Sequence, residues 1–120
     1  MIDARRFLPL SPQQFHILLA LSDRERHGYG IILDVVERTA GVLRLGTGTL
    51  YTSVARLVEL GLIADADRAD RHDERRRYYR LTPLGRAVMR AETARLEGLV
   101  RHAHDCRVYG TRRPTPARER

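Results

Sequence analysis

Two clusters of side chains in this chain could do chemistry on a polyanion. The first is Thr47, Thr49, Tyr51, Thr52, Ser53 and Arg56, close together in one short segment. Small hydroxyls, a phenol and a guanidinium donate to phosphate oxygens and base edges. The second is Arg75 and Arg76, at the head of RRRYYRLTPLG. Their forked guanidinium groups suit phosphate and guanine edges. Tyr29 follows Gly28, and glycine lets a backbone lie close to its neighbour. Each has a plainer alternative. Tyr51 could be a half-buried core tyrosine and Tyr29 a core residue, the hydroxyls ordinary surface groups of a first helical turn, and Arg56 a solvated arginine.

Other groupings fall short of chemistry. Gly46-Thr47-Gly48 has no third glycine and no Gly-Lys-Ser/Thr ending, so it is not a phosphate loop. His102 and Cys106 are four apart and could share a helix face, but His104 points elsewhere and no second cluster completes a metal site. Nucleophile motifs are absent. No enzyme, metal or cofactor is expected.

These candidates need elements to position them. Leu50, Val54, Leu57 and Val58 recur at helical spacing, so a helix runs beneath the hydroxyl cluster with this stripe buried. Gly61 stops it, and Gly46 or Thr47 caps its start. Ser11-Pro12-Gln13-Gln14 is a capping-box signature that opens a first helix over 12–22. Asp23 to His27 reads as a charged turn. Gly28-Tyr29-Gly30 opens a second helix with the stripe Ile31, Ile32, Val35 and Val36, ended by Gly41. Leu43-Arg44-Leu45 is a candidate small third strand. Leu62 to Asp67 reads as a strand, Arg68 to Glu74 as a charged loop, and Arg76 to Leu81 as a cleanly alternating strand. Thr82-Pro83 starts a fourth helix running to about His104. In it Met89, Leu96, Leu99, Ala103 and Cys106 form a heptad-like stripe, flawed by Glu92.

Composition narrows the partner. The chain has 120 residues and a formal net charge of +7, carried entirely by arginine among its 22 basic residues. Such a surface attracts polyanions. One cysteine excludes an intramolecular disulfide and fits a reducing compartment. No apolar run approaches the roughly 18 residues of a membrane span, so a cytoplasmic protein without membrane contact is expected.

The order of these motifs resembles the PadR family of bacterial transcriptional regulators in its short form. The resemblance runs through LSPQQFHILLAL, HGYGIILDVV, GTGTLYTSVARLVELGLI and RRRYYRLTPLGRAVM, covering roughly residues 10 to 100. It departs at Thr47 and Thr52, where family members often carry proline. It implies a fold that is mainly α with a small β-wing: a winged helix-turn-helix over 1–82, with 1–10 a leader, then a C-terminal dimerisation helix over 83–107. Residues 108–120 read as a disordered basic tail. The function implied is a homodimeric repressor of a near-palindromic double-stranded operator, released by a small hydrophobic or aromatic effector. DNA contact is expected from Tyr29, Thr47, Thr49, Tyr51, Thr52, Ser53, Arg56, Arg75 and Arg76. Dimerisation is expected through Met89, Leu96, Leu99 and Ala103. Ile2, Phe7, Phe15, Met89, Leu96 and Val100 are candidate walls of an effector pocket. The competing function is a winged-helix protein-interaction module without DNA binding.

Overall fold

The computed structural model describes residues 2–66 and 76–108. Its elements run α1 (Pro12–Ala20), β1 (Arg26–His27), α2 (Gly28–Arg38), α3 (Thr47–Glu59), β2 (Ile63–Asp65), β3 (Tyr78–Leu81) and α4 (Pro83–Asp105), after a 3-10 turn over Ala4–Phe7. Three helix starts are satisfied by side chains, as orphan first-turn amides require. Ser11 accepts from the Gln14 amide and Gln14 answers in a full capping box. The His27 ring accepts from the Gly30 amide at 3.1 Å. Thr82 accepts from Gly85 at 2.9 Å and donates to the Gly61 carbonyl at 2.6 Å, so one hydroxyl joins the end of α3 to the start of α4. At α3 the cap is Gly46, which has no side chain to offer. Gly61 takes a φ of +83° just past the end of α3, and the Leu62 amide then closes on the Leu57 carbonyl. That left-handed turn is where glycine is least strained.

The apolar stripes meet in one core. Ile17 and Leu18 of α1, Ile31 and Val35 of α2, Leu50, Val54 and Leu57 of α3, and Val88 and Met89 of α4 are all buried together with Leu62, Ile63, Tyr79 and Leu81. The stripe expected for α3 loses one member: Val58 is exposed, because its neighbour Leu57 already faces the core. Along β3, Tyr79 and Leu81 are buried while Arg80 is exposed, as strict alternation requires.

The third strand lies elsewhere than expected. Leu43-Arg44-Leu45 is irregular, with Leu45 in the core. The strand is Arg26–His27, inside what reads as a charged turn, and the sheet order is β1-β3-β2, all antiparallel. Arg26 pairs with Tyr79 and His27 with Tyr78. Two residues carry no alternation to read. Arg26 is held instead by the Ala20 carbonyl at 2.7 Å and Asp34 of α2 at 3.3 Å.

The leader is ordered against α4. Glu92, only 1% exposed, accepts from the Leu10 amide at 2.9 Å and pairs with Arg95 at 2.6 Å. The apparent flaw in the α4 stripe is thus a buried polar anchor. Its carboxyl is held below the usual range, chiefly by the Arg95 guanidinium, with burial opposing and the Leu10 amide assisting. Met89 is also corrected: at 6% exposed it belongs to the domain's own core, not to a free face. Further along the α4 stripe Leu99 is exposed, with Val100 beside it, while Leu96 and Ala103 are half-buried.

Candidate nucleic-acid interface

The exposed face of α3 carries Thr47, Thr49, Tyr51, Thr52 and Arg56, while Ser53 is half-buried. This face exists because Leu50, Val54 and Leu57 take the opposite side of the helix. Arg56 leans onto Glu59 one turn on, at 2.9 Å. Both are exposed, so the pair is weak and its guanidinium can be drawn away.

Tyr29 is 59% exposed and is not a core residue, while Tyr51, at 46%, keeps about half of its surface covered. Neither phenol has a hydrogen-bond partner among the described residues. They meet in one cleft of about 440 Å3 lined by His27, Gly28, Tyr29, Tyr51, Arg76, Arg77 and Tyr79. The cleft lies where the start of α2, the first turns of α3 and the central strand β3 converge. Sheet pairing makes this possible, since β1 feeds directly into α2 and lies beside β3. His27 packs edge-on against Tyr78 at 5.2 Å, and Arg76 Nη1 stands 2.8 Å from His27 Nε2. A second groove of about 340 Å3 continues between α3 and the sheet, lined by Tyr51, Val54, Ala55, Val58, Asp65, Arg77 and Tyr79.

Charge on the sheet edge is basic but partly internally matched. Arg77 reaches Asp65 across the strands at 2.8 Å, and this contact raises the guanidinium's pKa. Tyr79 is raised in turn by burial. Arg76, Arg77 and Arg80 are all exposed. Arg75, and the loop residues Arg68 to Glu74, lie outside the described residues. So does nearly all of the segment read as a disordered tail.

The spacing of residues brought Tyr51, Thr52 and Arg56 onto one helix and marked Gly28 as a place of close approach, but it missed His27 and Arg77 as lining groups. RRRYYR does not distinguish its arginines, and His27 sits 49 positions from Arg76. The remaining candidates separate from the cleft. Among the described residues no three His, Cys, Asp or Glu side chains are placed to hold a metal ion. No described helix is long and apolar enough to cross a membrane. Ile2 and Val100 are exposed rather than pocket walls. A groove adjoining α4 is lined by Leu19, Ser22, Leu81, Arg86, Met89, Arg90, Thr93, Ala94 and Glu97, and shares Met89 alone with the expected set.

Comparison with known proteins gives this geometry a context. Residues 17–91 match the model of the transcriptional regulator PadR-like family. The chain is 34% identical over 88 residues to the transcriptional regulator Rv3488 of Mycobacterium tuberculosis, covering 73% of this chain and 78% of that protein. It is 38% identical over 90 residues to an uncharacterized 37.1 kDa protein in transposon TN4556 of Streptomyces fradiae, covering 72% of this chain but only 24% of that protein's length. Among solved structures, BpsR of Bordetella bronchiseptica is 27% identical with a TM-score of 0.59, covering 84% of this chain and 68% of BpsR. That structure concerns the regulation of BpsR's DNA binding by 6-hydroxynicotinic acid.

Proposed function

Because the chain belongs to the transcriptional regulator PadR-like family, we propose that it is a homodimeric repressor that clamps a near-palindromic DNA operator with α3 and the β2–β3 wing. The observation that carries this reading is the cleft between α2, α3 and β3. It gathers two phenols without internal partners and two exposed arginines beside the helix that carries Thr47, Thr49, Thr52 and Arg56. Such a set donates hydrogen bonds and positive charge and contains no nucleophile–base pair. Its natural partner is a phosphate backbone, with the α3 hydroxyls and Arg56 facing base edges. Ser53, half-buried, takes a lesser share. Repression follows sterically when a dimer occupies promoter DNA.

Pairing is assigned to the outer stripe of α4. Leu99 is 49% exposed, and Leu96, Val100 and Ala103 extend the same surface. Burying one leucine contributes roughly 1.5–3 kcal/mol, so two copies of the stripe offset much of the cost of association. A twofold pair would set two α3 helices roughly 34–36 Å apart, one DNA turn, or a multiple of that.

A small hydrophobic or aromatic effector is assigned to the groove of about 480 Å3 floored by Leu19, Leu81 and Met89. That volume lies in the range of small-molecule sites. BpsR, whose DNA binding responds to 6-hydroxynicotinic acid, offers a parallel on a related fold.

Selection of duplexes by the purified protein from a randomised pool tests the reading. An enriched inverted repeat, protected in two half-sites, is expected. Recovery of no duplex above background, with the protein folded, would sink it in favour of a protein-interaction module.

A further inference from the structure

Gly28 is buried at the first position of α2. Its backbone is not in the left-handed region, so no turn demands glycine there. What demands it is Tyr51. A Cβ built at residue 28 overlaps the Tyr51 hydroxyl and would lie 2.7 Å from Cζ and 2.9 Å from Cε1 of the ring. These atoms are the outer end of the Tyr51 side chain, which is 46% exposed, so a methyl group at residue 28 would push the phenol out of its present place rather than be absorbed by the backbone. The phenol therefore lies in the space that any other side chain at residue 28 would fill.

We propose that Gly28 is a positioning residue for DNA binding: its missing side chain is the socket that holds the Tyr51 phenol across the start of α2, so that its hydroxyl faces the cleft as a ready donor. The inference rests on the DNA-binding reading above and goes further by naming the contact that aligns α2 with the recognition helix. Three observations support it. The Tyr51 hydroxyl has no hydrogen-bond partner among the described residues, although nearly half of the residue is exposed. The His27 ring caps α2 through the Gly30 amide, which fixes where the helix, and hence the socket, begins. Tyr29 and Arg76 line the same cleft, so a phosphate accepting from Tyr51 would meet both. A packing role alone would be served equally by an apolar ring at 51; a positioning role needs the hydroxyl where the socket puts it.

The test is a double-mutant cycle on a labelled duplex recovered by the wild-type protein from a randomised pool, at one fixed salt concentration. Gly28→Ala is expected to weaken binding about tenfold or more and to lower Tm. In a Tyr51→Ala background the same change is expected to alter Kd by less than about twofold and to leave Tm nearly unmoved, because no phenol remains to collide. Tyr51→Phe should keep wild-type circular dichroism yet bind several-fold more weakly. The comparison within the Tyr51→Ala background stands even if Gly28→Ala alone fails to fold. Equal loss from Gly28→Ala with and without Tyr51, or wild-type affinity in Gly28→Ala or Tyr51→Phe, would overturn the proposal. A wild-type protein that recovers no duplex overturns the DNA-binding reading itself and this inference with it.

Discussion

Glu92 is a carboxylate set among apolar neighbours, and its role follows from what it accepts. It satisfies the Leu10 amide and holds Arg95, so it ties the leader to α4. Its folded pKa lies below the ordinary value of 4.5, with Arg95 the largest cause. A depressed carboxylate contributes stability above its unfolded pKa, and that contribution is lost as pH falls through the folded value. Glu92→Ala should therefore cost about 1 kcal/mol or somewhat more at pH 7, the low end of the roughly 1–3 kcal/mol for an unsatisfied buried amide, because the Leu10 amide is only part-buried. It should also flatten the fall of Tm with pH below 4.5. A mutant whose acid limb parallels the wild type would show that the anchor does not couple to folding. At the DNA face, Tyr51 and Thr52 lie opposite the Leu50, Val54 and Leu57 stripe. Tyr51→Ala with Thr52→Ala is expected to abolish specific binding while circular dichroism stays unchanged. Wild-type affinity in that double mutant would move the interface elsewhere.

At the scale of elements, α4 serves two surfaces with one helix. Its first turns, through Gly85, Val88 and Met89, close the core. A Cβ at Gly85 would collide with the Leu62 carbonyl, so the backbone of α4 rests almost directly on the segment joining α3 to β2. Its later turns present Leu96, Leu99 and Ala103. The division removes Met89 from the stripe proposed for pairing: it obeys the same periodicity but is claimed by the core. Leu96→Glu with Leu99→Glu should leave the fold intact and yield monomers that bind the operator far more weakly. Sedimentation as a dimer at micromolar concentration would remove α4 as the pairing helix.

At the scale of the whole molecule, the charge of +7 meets a wing whose described arginines are exposed. If Arg76, Arg77 and Arg80 of both protomers neutralise six phosphates, log K should fall against log salt with a slope of about −5, since each contributes about −0.9. Titrations across a range of salt concentrations read this directly. A flat dependence would exclude phosphate-driven binding.

Periodicity along the chain determined the helices, because burial of one face imposes a repeat of 3.6 and caps mark the ends. It placed α3, its polar face and the Thr82-Pro83 start of α4, and the charge balance pointed toward a polyanion. The 3.6-residue repeat does not say which apolar residues the core claims, so it places Met89 and Val58 on the wrong surfaces. Strand β1 was illegible because two residues have no period; the pairing partner, Tyr78–Tyr79 of β3, makes Arg26–His27 a strand. The cleft was illegible for the same reason. Gly28, Tyr51 and Arg76 are far apart in sequence and become one surface only when antiparallel pairing lays β1 beside β3 and packing lays the Tyr51 ring over Gly28. Local spacing determines which face of an element is polar, while long-range contact decides which polar faces share a site.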